Sequence, residues 1–168
     1  QTADYYAQVF DITPVRSAPN QPSIACPETM NSICVGGSYV DDGSDRQLVP
    51  FNFQGTTNTS DREEPDVIAL AGFELDGNQG TEVADLLCTA AWTETGGNSF
   101  SAPVVTSLLA HLHERCPNLG RLVGRALIRT AAFSENFTNW RYSTPLQSFD
   151  FLDGAGWVDA PGINTAFP

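Results

Sequence analysis

Three short segments of this sequence are mostly apolar, without a clean alternation of apolar and polar residues. They span residues 33–40, 66–70 and 84–88. A strand with one solvated face alternates apolar and polar residues, whereas a strand buried on both faces is typical of a parallel sheet. Parallel strands need long crossovers, which are usually helices packed on the sheet. The pattern therefore predicts an α/β fold with a mostly parallel, doubly wound sheet.

Two helical patterns follow these strands. The first begins near Ser101, tolerates Pro103 in its first turn and ends before Pro117. Its apolar stripe predicts a buried helix and consists of Val104, Val105, Leu108, Leu109 and Leu112.

The second helical pattern spans residues 119–132. One of its faces is apolar and consists of Leu122, Val123, Ala126, Leu127 and Thr130. Arg121, Arg125 and Arg129 lie on another face at a spacing of four residues, and we expect that face to be solvated. Residues 41–64 are rich in polar turn formers and predict surface loops around a short strand near residues 48–53, and the chain from Ser143 onward is loop-like.

Composition excludes several classes of partner. The 168 residues are enough for one domain, and the net charge of −12 results from 20 acidic residues against 8 basic ones, all arginine. Nucleic acids and anionic membranes both attract cationic surfaces, so neither is expected as a partner. The sequence contains no apolar run of the length that a membrane-spanning helix needs.

Cysteine usage favours an oxidising compartment. The count is even and no CxxC pair occurs, so two disulfides are favoured over a metal site, with buried thiols as the alternative. The expected pairs are Cys26 with Cys34 and Cys88 with Cys116. Sequons at Asn58 and Asn136 also fit a secreted protein. The first ten residues lack the features of a signal peptide, so the chain begins as if already processed.

The most informative segment is Gly96-Gly97-Asn98-Ser99-Phe100-Ser101-Ala102-Pro103, directly before the apolar helix. A serine at the start of a helix lies among unpaired N–H groups and at the positive end of the helix dipole. Such a serine can attack a carbonyl and help to hold the resulting oxyanion. The alternative is that Ser99 is only an N-cap, the commonest role of serine before a helix.

Four segments, in order, resemble the subtilisin-like serine protease family. The segment from Gly97 to Pro103 resembles the Gly-Thr-Ser-x-Ala-x-Pro signature around the nucleophile. The others are Ala25-Cys26-Pro27 with the ICVGG run at 33–37, EPDVIALAG at 64–72, and GAGWVDA at 154–160. The resemblance covers almost the whole chain and implies that residues 1–168 are the C-terminal portion of a subtilisin-like peptidase domain.

The resemblance also implies roles for individual residues. Ser99 would be the nucleophile, and Gly97 and Asn98 would contact the substrate. Asn98 stands where the family usually has threonine and would offer a donor near the oxyanion. Asn20, in Ser17-Ala18-Pro19-Asn20, corresponds to the oxyanion-binding asparagine, although proline replaces the usual glycine before it. An ordinary turn asparagine is the alternative for Asn20.

The sequence lacks the rest of a catalytic triad. His111 and His113 are the two histidines of the chain, and both lie on the helix that follows Ser99. At 1.5 Å per residue, His111 would be about 18 Å along the axis, too far to act as the base. The aspartate and histidine motifs of the family lie upstream of the matched region, and Asp41-Asp42-Gly43 and Asp153-Gly154 are predicted turns. A second chain or an N-terminal fragment is therefore expected to complete the enzyme.

The expected function is extracellular endopeptidase activity on a protein or peptide substrate. One alternative is a non-catalytic module of the same fold that binds or stabilises a partner. Another is an acid-active serine peptidase of the carboxyl type, with a glutamate base. No cofactor or catalytic metal is predicted; calcium often stabilises the family, but the acidic loop at 41–45 is interpreted as solvated.

Overall fold

The computed structural model describes residues 2–21, 29, 31–40, 46–48, 55–56, 63–71, 81–84, 92–133 and 154–165. Its helices are α1 (Thr2–Phe10), α2 (Asn98–Arg115), α3 (Arg121–Thr130) and α4 (Ala160–Thr165). Its strands are β1 (Val15–Ser17), β2 (Ile33–Val40), β3 (Arg46–Leu48), β4 (Gly55–Thr56), β5 (Glu63–Glu64), β6 (Val67–Leu70), β7 (Thr81–Ala84) and β8 (Trp92–Thr95).

Strand β2 is the centre of the main sheet. It pairs in parallel with β1 on one side, where Val15 lies opposite Ile33, and with β6 on the other, where Val35 lies opposite Val67. β3 pairs with β2 in the antiparallel sense. The predicted α/β architecture with a parallel sheet is therefore confirmed, and two small antiparallel pairs, β4–β5 and β7–β8, accompany it.

The segment at 154–158 extends the sheet beyond β6. The N–H of Ile68 donates to the carbonyl of Gly156 at 3.0 Å, and the N–H of Val158 donates to the carbonyl of Ile68 at 2.9 Å. Gly154 packs so closely on the chain before β6 that an added Cβ would lie 2.2 Å from the carbonyl oxygen of Pro65. The glycine-containing motif near the end of the chain therefore provides the neighbour of β6.

Helix α2 covers one face of this sheet. Its residues Val105, Leu109 and Leu112 are buried against the apolar side chains of β2 and β6. Complete burial of such a side chain contributes about 1.5–3 kcal/mol to stability. Val104, which the sequence places on the same stripe, is 37% exposed, so the helix buries a narrower face than the stripe predicts.

The bounds of the predicted elements agree with the structure in most cases. The strand at 33–40 coincides with β2, and the strand at 66–70 corresponds to β6. Helix α2 begins three residues before the predicted start, and α3 lies within the predicted range. Of the predicted strand at 84–88, only Ala84 is described, as the last residue of β7, and residues 49–53 of the other predicted strand are outside the described part.

The elements α1, β1 and α4 were not predicted, and neither were the short strands β4, β5 and β8. α1 presents Tyr5, Tyr6, Val9 and Phe10 to solvent and buries only Ala7, so it lacks the usual apolar stripe toward its own domain. β1 has three residues, too few for a periodic pattern, and α4 contains proline and glycine, which are typical of turns.

The arginine face of α3 points toward the protein, contrary to the prediction of a solvated face. Arg125 and Arg129 lie 3.4 and 3.1 Å from Oδ1 of Asp66, whose side chain is fully buried. A buried carboxylate is stable only when it is paired, and these two cations provide the pairing. The opposite face of α3 is therefore turned to solvent, with Leu122 63% exposed.

The structure describes one cysteine of each predicted disulfide, Cys34 and Cys116, so both pairings stay predictions. Cys34 lies within β2 and is buried in the sheet, whereas Cys116 is half-buried at the end of α2. Their predicted partners, Cys26 and Cys88, are outside the described residues. Among the helices that the structure describes, none combines the length and the apolar character needed to cross a membrane.

Replacement of Asp66 by asparagine is expected to lower the free energy of unfolding by about 3 kcal/mol, because two partly buried guanidinium groups lose the opposing charge. Urea unfolding of the purified protein measures this change. Asp11→Asn is the matched control, since it removes the carboxylate beside Arg121 at a site where the aspartate side chain is 65% exposed. Asp11→Asn is expected to lower the free energy of unfolding by less than about 1 kcal/mol. Equal losses of stability in the two variants would show that Asp66 is no more important than a surface charge.

Candidate active site

The start of α2 is fixed by the end of β6. The N–H of Gly97 donates to the carbonyl of Ala71, directly after β6, at 3.1 Å. Gly97 is the N-cap residue of α2, with φ 134°. L-amino acids rarely adopt this conformation, so glycine is needed where the chain turns from the sheet into the helix.

Ser99 is the second residue of α2 and is exposed. Because Gly97 is the N-cap, the interpretation of Ser99 as a capping residue is wrong. The first turn is closed instead by the N–H of Phe100, which donates to the carbonyl of Gly97 at 3.0 Å, and by Ser101 Oγ, which donates to the carbonyl of Asn98 at 2.6 Å. The hydroxyl and the N–H of Ser99 thus lie in the first helical turn, where main-chain N–H groups lack the carbonyl four residues earlier that pairs with them in a helix interior.

Asn20 lies next to this turn, although it is far away in the sequence. It follows β1, and its Oδ1 accepts a hydrogen bond of 2.9 Å from the N–H of Asn98. Its Nδ2 would be 3.2 Å from a Cβ added to Gly97. The structure therefore brings the predicted oxyanion residue to the residues that precede Ser99, and β1 and β6 hold the two segments in place.

Asn98 is fully buried and faces the segment that bears Asn20. Its Nδ2 donates to the carbonyls of Ala18 and Pro19, at 3.2 and 3.1 Å. Both amide hydrogens are therefore used within the protein, and the main-chain N–H is used by Asn20. Asn98 was predicted to contact the substrate and to donate to the oxyanion. In this arrangement it has no N–H group left that could donate to either.

Neither histidine lies near Ser99. His111 and His113 are in the last turns of α2, where the Nε2 of His111 contacts Oδ1 of Asn164 in α4 at 3.2 Å. This placement agrees with the expectation from helix length. Both histidines therefore lie at the opposite end of α2 from Ser99.

Several other predicted features fall outside the described residues. They include the acidic loop at 41–45, Asp153 and both sequons. Within the part of the chain that is described, no group of three or more histidine, cysteine, aspartate or glutamate side chains has an arrangement that would hold a metal ion.

Sequence reasoning missed how the site is held together. The only signal was the asparagine at position 98 in place of threonine, because its larger amide reaches two carbonyls at once. The support of Gly97 by the carbonyl of Ala71 is a main-chain contact, which no side-chain pattern reveals.

Known proteins share this architecture. A model described as the Subtilase family matches residues 3–157, and no curated protein matches the chain. Fervidolysin from Fervidobacterium pennivorans, a keratinolytic enzyme related to subtilisin, has a similar structure with a TM-score of 0.65 and 20% identity, over 95% of this chain and 23% of that chain. The patellamide maturation protease PatA has a TM-score of 0.67 and 19% identity, over 98% of this chain and 54% of that chain. A lanthipeptide protease has a TM-score of 0.67 and 15% identity, over 99% of this chain and 54% of that chain.

These similarities confirm the subtilisin-like fold predicted from the four sequence segments. At such identities they concern the fold alone. The chain spans between about a quarter and about half of the length of these three proteins.

Gly97→Ala is expected to reduce stability by about 2 kcal/mol, because an L-residue is strained at φ 134° and its Cβ would press on Nδ2 of Asn20. Thermal or urea unfolding measures the effect. Gly120→Ala is the matched control at the N-cap of α3, where φ is −64° and the nearest atom to an added Cβ is 3.8 Å away. The control is expected to cost less than about 1 kcal/mol, and a similar loss in both variants would contradict the strain assigned to Gly97.

Proposed function

The chain belongs to the subtilase family, and we propose that it is the C-terminal, nucleophile-bearing portion of a serine endopeptidase. The observation that carries the proposal is the position of Ser99, exposed in the first turn of α2 with Asn20 held beside it. A buried serine, or one used as a helix cap, would not support a catalytic role.

The proposed reaction begins with attack of Ser99 Oγ on the carbonyl carbon of a peptide bond. A base accepts the hydroxyl proton, and the carbonyl oxygen becomes an oxyanion. The N–H of Ser99 and Nδ2 of Asn20 are the proposed donors to that oxygen. The tetrahedral intermediate collapses and expels the amine, which takes the proton from the base. Water then hydrolyses the ester formed on Ser99 and restores the hydroxyl.

The base and the aspartate that orients it are proposed to come from an N-terminal fragment or a second chain. The two histidines of this chain are at the far end of α2, which supports this proposal. β1 supports it too, because among the described strands it pairs only with β2. A strand edge that no other segment covers can pair with a further strand.

Helix α1 offers a second surface for the proposed N-terminal part. Its exposed aromatic residues include Tyr6 and Phe10, whose rings stack with centroids 5.8 Å apart. Tyr5 and Phe10 are each 62% exposed. Contiguous apolar surface of this kind usually marks a contact with another protein segment. α1 directly precedes β1, so one partner would cover both the helix and the strand edge.

Secretion remains part of the proposal, and the two sequons are the features that support it. The proposed substrate is a protein or peptide. The proposal includes no cofactor, because nucleophilic catalysis by serine requires only a base and oxyanion donors.

Ser99→Ala is expected to lower the rate of peptide hydrolysis at least 10³-fold and to abolish labelling by a fluorophosphonate probe, since the attacking oxygen is lost. Both are measured on the native protein together with any chain that co-purifies. Ser107→Ala, an exposed serine of the same helix, is the control and should retain labelling. A folded wild-type protein that is neither labelled nor active would favour the non-catalytic module.

The pH dependence of labelling identifies the base. A histidine acts only when neutral, so the rate is expected to rise with pH through roughly 6–7 and to remain high above that range. A glutamate base of the carboxyl type would instead titrate near pH 4, with a maximum in acid. Labelling rates measured with the same probe over a series of pH values distinguish a histidine base from a glutamate base. A maximum in acid would overturn the assignment of a histidine base.

A further inference from the structure

Asn98 connects two parts of the site that are distant in sequence. It is fully buried, and its three hydrogen bonds as a donor all go to residues 18–20. Its side chain holds the carbonyls of Ala18 and Pro19, and its N–H holds the side chain of Asn20. One residue thus fixes both the backbone that leads to Asn20 and the amide group of Asn20 itself.

The contact with Asn20 determines which end of its amide remains for a ligand. Oδ1 of Asn20 is used as an acceptor by Asn98. Nδ2, the donor end, is therefore at the opposite side and lies against Gly97, the residue two before Ser99. If the amide rotated by 180°, Nδ2 would face the N–H of Asn98, and two donors would oppose each other. The N–H of Asn98 consequently selects the orientation that leaves Nδ2 for an oxyanion.

Asn98 itself has nothing left to donate. The remaining polar atom of its side chain is Oδ1, a buried acceptor to which no described group donates. An acceptor repels a developing negative charge, so this oxygen would not stabilise an oxyanion. A threonine at the same position would offer one hydroxyl donor and would be too short to reach two carbonyls.

We infer that Asn98 is a positioning residue, which acts on the reaction through Asn20 and does not contact the substrate. The inference rests on the proposed peptidase function. It assigns the position of the oxyanion donor to the buried side-chain amide of Asn98, and the orientation of that donor to the main-chain N–H of the same residue. Removal of one oxyanion donor typically lowers kcat by 10²–10³. Loss of the Asn98 side chain is expected to cause part of the same loss, because the carbonyls of Ala18 and Pro19 lose their donor and the backbone that carries Asn20 is no longer held in place.

The test is a double-mutant cycle with Asn98→Ala and Asn20→Ala in the native protein, with kcat and KM measured on one peptide substrate. Asn20→Ala is expected to lower kcat about 10²-fold or more. Asn98→Ala is expected to lower kcat about 10-fold or more with little change in KM. In the Asn20→Ala background, Asn98→Ala should lower kcat by less than about 2-fold, because the residue it acts through is already absent. Ser107→Ala should leave both constants unchanged.

Independent losses that multiply in the double variant would overturn the inference, and so would an unchanged kcat in Asn98→Ala. A failure of the proposed function itself would look different. Ser99→Ala would then retain the activity of the wild type, or the wild type would have no activity. In either case the inference about Asn98 fails together with the proposed function.

A second measurement does not depend on activity or on the folding of Asn98→Ala. Hydrogen exchange of the main-chain N–H of Asn98 is expected to be slow in the Ser99→Ala protein and about tenfold faster when Asn20→Ala is added, because the acceptor Oδ1 is lost. Equal exchange rates in the two proteins would show that this hydrogen bond does not hold Asn20, and would overturn the inference.

Discussion

The buried carboxylate of Asp66 is the interaction on which the arrangement of the molecule depends. Its Oδ2 accepts the N–H of Cys34 in β2 at 2.8 Å, and its Oδ1 faces the arginines of α3. Its main-chain carbonyl accepts the N–H of Ala155 at 2.9 Å. The central strand, a covering helix and the final segment of the sheet therefore meet at one residue, which is stable inside the protein only while its charge is matched.

The candidate site is built on the strand that follows Asp66. β6 lies between β2 and the segment at 154–158, and the carbonyl directly after it positions Gly97 and hence Ser99. On the other side of β2, β1 leads to Asn20. Ser99 is thus presented by a helix start and Asn20 by a strand end, two rigid supports whose relative position is set by the hydrogen bonds of one sheet. Precise placement of this kind is what stabilisation of an oxyanion requires.

The sequence predicted the parts of this arrangement that depend on burial. The continuous apolar run of β2 and the buried positions Val105, Leu109 and Leu112 of α2 followed from hydrophobic patterns alone. Helix α3 was predicted, but its orientation was wrong, because a pattern of arginines does not reveal the buried carboxylate that attracts them. α1 was missed for a related reason, since its apolar residues face away from the described core. Asn20 was predicted from a motif, whereas its hydrogen bond with the N–H of Asn98 is visible only in the folded protein.

The long separation between partners in the site has a consequence for how the protein folds. Asn20 and Asn98 are 78 residues apart, and β6 receives its last neighbour only from residues 154–158. Contacts that close such long loops form late and slow the folding of a domain. During synthesis, the strand that positions Ser99 lacks its outer neighbour until residues 154–158 have left the ribosome. The topology therefore delays completion of the sheet that supports Ser99 until well after both Asn20 and Ser99 have been synthesised.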